Sequence, residues 1–568
     1  MTRDDLLASL EGRPGVSVLI LGGGINGVGL YRELALQGVD VYLADKGDFV
    51  SGASAASSHM IHGGLRYLQN SEFRLVRESV EERNRLLRNA PHGVVPLPTT
   101  IPIFHWTAGL VASALRFLRI ADPSANRGAL LVKVGLTLYD LYTRRFESAH
   151  GQRPVPPHAF ASRRRALDRR PTLHPDIVCT ATYHDACMHH PERLGLEVLL
   201  DAEAANSECR AINYLQATAA RGDAVTLRDV LTGREFTVHP KVVVNATGAW
   251  VDFTNGALAG PTDFIGGTKG SHLVLHHPEL EAALDGEMIY FENSDGRICI
   301  LFPYQGKVMA GTTDLPVEDP EQAVCDAAEE AYILDSIRHV FPTIDLGERH
   351  IVFRFCGVRP LPTSDASKPG KVSRDHSCHR VPNTDSLDFP VYALVGGKWT
   401  TFRAFAAMVA DRILPILGVA RQASSADLPI GGGADYPAAA ERDAWIQRLA
   451  EGTGLPHRRI EALFERYGTR ARQLAMELQA LGDDPLETLP DHSRQEIEWL
   501  VTHERVVRLE DLILRRTLLA MTGRLTRPML HELAEILAPC LHWSADEQRE
   551  AVEQALESLR LRHGLSLP

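Results

Sequence analysis

No run of about 18 uninterrupted apolar residues occurs in this chain, so no transmembrane helix is expected. The opening Met1-Thr2-Arg3-Asp4-Asp5 lacks a basic stretch leading into an apolar run and a cleavage site, so no secretory signal is expected. Cysteine is sparse, with 8 in 568 residues and none in a C-x-x-C pair. Zinc ribbons and redox dithiols therefore lack support, no metal centre is expected, and a reducing cytosol fits. Internal repeats and long low-complexity tracts are also missing. Positive charge is in deficit: 60 Lys and Arg stand against 72 Asp and Glu, a net charge of -12. That balance argues against wholesale nucleic-acid binding, although a basic pocket can exist within it.

What is present fits an ordinary folded protein, 44% hydrophobic and 23% charged. Its length exceeds one compact core, so two or three domains are expected. The start reads strand (Val16 to Leu21), glycine turn, helix (Asn26 to Gln37, ended by Gly38) and strand (Val39 to Ala44). This βαβ-type opening implies a parallel sheet. A hairpin is expected over Val225 to Val238, and a buried strand over Lys241 to Asn245. Strand-like runs at Ser271 to Leu275, Arg297 to Phe302 and Lys307 to Gly311 suggest an antiparallel sheet in a second lobe. Leu428-Pro429-Ile430-Gly431-Gly432-Gly433 reads as a linker. Beyond it the pattern is almost wholly helical. The expected division is 1–430 for the α/β part with its interleaved lobe and 435–568 for an all-helical domain.

The chemistry starts at Gly22-Gly23-Gly24-Ile25-Asn26-Gly27, a G-x-G-x-x-G turn. Gly22 permits the tight turn, Gly24 lets backbone approach a pyrophosphate, and Gly27 lets helix and sheet pack closely. The helix N-terminus beyond, at Asn26, favours an anion. Asp45 lies 18 residues past Gly27, near the ~20 expected of a carboxylate that binds a ribose hydroxyl. The turn alone does not separate NAD from FAD. Three features favour FAD. Val243 to Trp250, with Ala246 and Gly248 in its turn, is similar to the second nucleotide-contacting strand of two-domain flavoproteins. Gly396-Gly397-Lys398-Trp399-Thr400-Thr401 follows a strand and opens a helix whose start could stabilise a reduced flavin. Ser51 to Ser58, including Ser57 and Ser58, is small enough to wrap close to a cofactor.

With these residues assembled, the chain resembles the aerobic, FAD-dependent glycerol-3-phosphate dehydrogenases. The most specific stretch is Ala56 to Leu68, containing His59-Met60-Ile61-His62-Gly63-Gly64-Leu65-Arg66-Tyr67. Lys269-Gly270-Ser271-His272, Gly311-Thr312-Thr313-Asp314, Gly357-Val358-Arg359-Pro360-Leu361 and Gly396-Gly397-Lys398 add to it. Trp499-Leu500-Val501, His503-Glu504 and Arg515-Arg516-Thr517 are similar to the family's C-terminal domain.

The resemblance implies a glutathione-reductase-type, Rossmann-like FAD domain, a substrate lobe and a helical cap. The reaction it implies is oxidation of sn-glycerol 3-phosphate, with electrons passed to a quinone or, in related oxidases, to oxygen. His62 is the first candidate for base or substrate contact and His272 the second. Arg66 and Arg359 suit a phosphate, Tyr67 could donate a hydroxyl, and Lys398 could neutralise substrate or reduced flavin. Lys269 is a weaker candidate. His62, Gly63, Gly64, Gly397, Lys398, Trp399 and Thr400 are also expected against the cofactor.

Two positions depart from the family pattern. His59 stands where a basic residue is usual, and His189-His190-Pro191-Glu192 replaces an acidic pair. These departures leave the exact polyol phosphate open, an erythritol phosphate included. An amine or amino-acid oxidase and a catalytically inactive flavin-binding protein are the other readings. Apolar and aromatic residues over 101–142, with Arg116, Arg119, Arg127 and Lys133 interspersed, suit either an interfacial membrane helix or a pair packed on the protein's own core. The expected location is cytoplasmic, with peripheral contact to the inner face of the cell membrane left open, as is a homodimer.

Overall fold

A computed structural model describes residues 3–64, 72–106, 129–150, 155–293, 295–363, 375–382, 384 and 386–567, with side chains of 145–150 excepted. Arg66 and Tyr67 lie outside the described residues, as do 107–128 of the candidate membrane segment.

The first sheet follows from the β-branched runs read above. Its strands lie in the order Ser377–Arg380, Val391–Val395, Glu235–Asn245, Gly15–Leu21, Val41–Ala44, Arg210–Ile212. All neighbours are parallel except the edge strand Ser377–Arg380. The Glu235–Asn245 strand serves two sheet arrangements: its first half pairs antiparallel with Ala224–Asp229, and its second half enters the parallel sheet between Gly15–Leu21 and Val391–Val395. The second arm of the expected hairpin and the expected buried strand are thus one continuous element. Val18, Ile20, Val242 and Val244 are fully buried against the helices Ile25–Ala35 and Phe402–Leu417.

The second sheet has ten strands. It is antiparallel apart from one parallel pair, Met288–Glu292 beside Val94–Ile103. One face packs on the helices Pro278–Leu284 and Ala327–Val340. The other carries Met288, Ile300, Phe302 and Phe353 into the core of the C-terminal helices. That shared core joins the helical part directly to the sheet.

The expected linker is corrected accordingly. Gly431–Gly433 form a 3-10 turn, with Gly432 and Gly433 buried. A Cβ on Gly432 would lie 2.0 Å from the Tyr467 carbonyl oxygen, and one on Gly433 would lie 2.3 Å from that of Asn89. Glycine is needed here for close approach rather than for flexibility.

Candidate active site

One cavity of ≈ 1930 Å³ runs between the two sheets and reaches the C-terminal helices. Gly22 has φ +103°, and a Cβ there would meet the Ala246 carbonyl oxygen at 2.6 Å. A Cβ on Gly27 would lie 1.9 Å from the Gly22 oxygen. Both glycines therefore do what the turn motif requires, at different points: Gly22 bends the chain and Gly27 lets the helix touch it. Gly22, Gly24, Asn26, Asp45, Ala246 and Gly248 line the cavity; Gly27 supports it from behind.

Asp45 accepts hydrogen bonds from the backbone N–H groups of Gly23 (2.6 Å) and Gly47 (2.8 Å). Burial pushes its carboxyl up to about 6, against the downward pull of those two donors. Asn26 donates to the Gly396 carbonyl at 3.1 Å, while its own Oδ1 is buried without a partner. The buried Trp250 indole N–H likewise lacks one. Orphaned acceptor and donor groups on a glycine-lined cradle fit a ligand rich in hydrogen-bonding groups, as a dinucleotide is.

The His62-Gly63-Gly64 segment is held from below. The Gly63 N–H donates to Tyr139 Oη (2.9 Å) and Asp185 Oδ1 (3.0 Å). Arg83, with a fully buried side chain, donates to the same two atoms at 2.8 and 3.2 Å. The backbone N–H of His62 donates to Thr400 Oγ1 at 3.2 Å, tying this segment to the start of the last glycine helix. Thr400 lies behind the wall; His62, Gly64, Gly397, Lys398 and Trp399 line the cavity. Lys398 Nζ donates to Ser79 Oγ at 2.8 Å.

On the facing sheet, strand register brings His272 and Arg359 to one face. His272 is opposite Phe355, and Arg359 is opposite Thr268. The imidazole stacks on Phe355 with centroids 4.9 Å apart and planes 7° from parallel. Its Nε2 meets Ser58 Oγ at 2.7 Å. Burial holds this ring well below the usual imidazole range, and the Arg359 cation adds to the shift. Arg359 bonds Thr312 Oγ1 (2.9 Å), the Thr313 carbonyl (3.1 Å) and Asp314 Oδ1 (3.1 Å). Glycines make room for both side chains: a Cβ on Gly311 would lie 2.2 Å from the His272 ring, and one on Gly270 2.1 Å from the Arg359 guanidinium. His62, His272, Arg359 and Lys398 line this cavity together with Ser57 and Ser58.

Some candidates go elsewhere. Lys269 points away and forms ion pairs with Glu329 (2.8 Å) and Asp326 (2.9 Å). His59 is buried beside Tyr304 and Phe355, and burial lowers it to about 3, so it supplies no charge. Of the segment at 189–192, the cavity receives Glu192 and not the two histidines. Tyr139, Asp185 and Arg83 were missed in the sequence, although Tyr139 lies within the 101–142 segment read there as interfacial or core-packed.

Residues 17–412 match the model of FAD dependent oxidoreductases. Residues 423–548 match the C-terminal domain of alpha-glycerophosphate oxidase. A glycerol-3-phosphate dehydrogenase of Synechocystis sp. is 32% identical over 89% of this chain and 89% of its own. The chain belongs to the FAD-dependent glycerol-3-phosphate dehydrogenase family. The aerobic enzyme of Bacillus subtilis is 26% identical over 91% of this chain and 89% of its own. The crystal structure of the Bacillus halodurans glycerol-3-phosphate dehydrogenase complexed with FAD shares the fold, with a TM-score of 0.73, 21% identity and coverage of 99% of this chain and 97% of that one. As a family member the chain is an FAD-dependent oxidoreductase, and the cradle around Gly22, Asn26 and Asp45 fits that cofactor.

Proposed function

We propose that this enzyme oxidises sn-glycerol 3-phosphate to dihydroxyacetone phosphate and passes the electrons to a quinone. The observation that carries the reading is the pairing of His272 and Arg359 on one sheet face, across a shared cavity from the dinucleotide turn. FAD, when bound, supplies the hydride acceptor at N5. The chain's residues orient substrate and handle the proton. Arg359 presents a planar fork that matches two phosphate oxygens, and Lys398 adds a second cation. Arg66 and Tyr67 are retained as substrate contacts on the family resemblance.

Both histidines remain in the proposal, with the order reversed. His272 is the base: Ser58 Oγ, hydrogen-bonded to its Nε2, takes the substrate hydroxyl proton while passing its own to Nε2. Stacking on Phe355 and the contact with Ser58 hold the ring in one orientation, as a positioned base requires. His62 is anchored through its backbone and serves as a wall of the cofactor and substrate space. Residues 1–430 carry this chemistry, and 435–568 form the domain that closes over it. Turnover with a soluble quinone analogue tests the reading: dihydroxyacetone phosphate should appear one for one with quinol. A product other than a keto phosphate would contradict it.

A longer polyol phosphate is the second reading, favoured by Glu192. Burial pushes its carboxyl up to about 8, so it stands protonated in the cavity at neutral pH and can donate to a further hydroxyl.

Asp45 gives FAD binding a pH dependence. A ribose hydroxyl donated to the carboxylate favours its ionised form, so the dissociation constant should rise as pH falls through about 6. Asp45→Asn should flatten that dependence. Fluorescence titration of FAD across about pH 5 to 8 checks it.

The quinone calls for a lipid surface. Among the described residues no helix is long and apolar enough to cross a membrane. The helix Ala129–His150 instead shows two apolar faces. Val132, Leu136 and Tyr139 pack inward, while Leu130, Val134, Leu138 and Leu141 are exposed beside Lys133. Trp106, whose carbonyl accepts from the Leu130 N–H, is 61% exposed. Its outward face suits the headgroup boundary. Val134→Glu with Leu138→Glu should weaken sedimentation with anionic vesicles by about tenfold or more. Unchanged sedimentation would remove this surface from the account.

A further inference from the structure

The C-terminal helices form a wall of the cavity beside Asp45, through Arg508, Glu510 and Arg515. They are fastened there by buried charge. Asp48, three residues past Asp45 and 2% exposed, accepts two hydrogen bonds from the Arg516 guanidinium (2.6 and 2.9 Å). It also accepts from Arg515 Nε (2.5 Å) and Asn213 Nδ2 (3.0 Å). Arg515 bonds Asp511 Oδ1 at 2.6 Å, and the same oxygen accepts from the Tyr214 hydroxyl at 2.5 Å. Arg508 lies over the Tyr214 ring, 5.0 Å from its centroid. Two buried carboxylates thus meet two guanidinium groups, of which Arg516 is buried and Arg515 keeps 13% side-chain exposure at the cavity wall.

The cofactor loop is wired to the same point. Leu215 N–H donates to the Asp45 carbonyl at 2.7 Å, and Tyr214 N–H to that of Gly47 at 2.9 Å. Residues 45–48 and 213–215 therefore move together, and Asp48 is their link to the helical domain. The arginines sit on a π-helical turn, Leu512–Arg516, where the widened backbone brings Arg515 and Arg516 to one carboxylate. Arg516 Nε is held in turn by the Glu504 carbonyl at 2.9 Å.

We propose that Arg515 and Arg516 are positioning residues for FAD: by gripping Asp48 they fix the loop that carries Asp45, so that docking of the helical domain and FAD binding reinforce each other. The proposal rests on the FAD dependence of the family. Neither arginine need touch FAD, because the coupling runs through the Asp48 carboxylate. Reciprocity follows, since FAD must stabilise the docked helical domain by as much as docking strengthens FAD binding.

The test compares FAD-loaded full-length wild type with Arg516→Leu and with Leu533→Ala. Leu533 is fully buried in the core of the same helical domain and has no polar part in the latch. Arg516→Leu should raise the FAD dissociation constant by about tenfold or more. Leu533→Ala should leave it within about twofold, at a comparable loss of melting temperature. Equal shifts in the two variants would reduce the arginine to a structural role and overturn the proposal. If Arg516→Leu fails to fold, hydrogen exchange on wild type decides. Removing FAD should speed exchange at 504–517 as well as at 45–48; unchanged exchange at 504–517 would overturn the coupling.

Discussion

His272→Asn should lower kcat by about 10²–10⁴-fold, the span typical of a lost general base, while FAD stays bound with an unchanged spectrum. Asparagine keeps the polar shape beside Ser58 and Phe355 but accepts no proton. KM should move little, because the imidazole acts on the proton and not on the phosphate. His62→Asn should cost less in kcat and more in FAD retention, since its segment joins Thr400 to the Gly63 anchor. Stopped-flow rates of anaerobic flavin reduction for both variants check the assignment. Should His62→Asn show the larger loss in the reduction rate, with FAD retained, the two roles exchange.

Arg359→Ala should act on binding instead. Truncating one partner of a buried charge pair costs about 2–5 kcal/mol, which corresponds to roughly 30-fold to 4,000-fold in kcat/KM, carried mainly by KM. Arg359→Lys should recover only part, because an ammonium lacks the planar fork. The fold should survive either change: the guanidinium lies over Gly270 at the cavity wall, where water can replace it, and Asp314 is not fully buried. A further consequence concerns His272, whose proton affinity is lowered first by burial and then by the Arg359 cation. Removing that cation lets the imidazole protonate more readily, so the low-pH arm of the reduction rate should move to higher pH in Arg359→Ala. A KM equal to wild type would show that the phosphate lies elsewhere.

The parts of this site legible in the sequence are those whose physics is local. The turn at Gly22 to Gly27 follows from neighbouring glycines, and its strand and helix from adjacent apolar runs. The family motifs named His62, His272, Arg359 and Lys398 and ranked His62 ahead of His272 as base, the order reversed in the proposal. Order depends on distant contacts: His272 meets Ser58 across 214 positions, and stacks on Phe355 only because of strand register. Lys269 was a weaker candidate cation than Lys398, and alternation along its strand sends it to Glu329. The support under Gly63, from Arg83, Tyr139 and Asp185, joins three elements that no spacing rule connects. Gly431–Gly433 misled because a glycine run signals both flexibility and close packing, and only the Asn89 and Tyr467 carbonyls distinguish them.

Anaerobic addition of substrate to the FAD-loaded enzyme tests the central claim most directly. sn-Glycerol 3-phosphate should bleach the flavin absorbance fully within seconds, an erythritol phosphate more slowly, and free amino acids not at all. Bleaching by an amino acid but by neither phosphate, or by none of the three with FAD bound, would contradict the account.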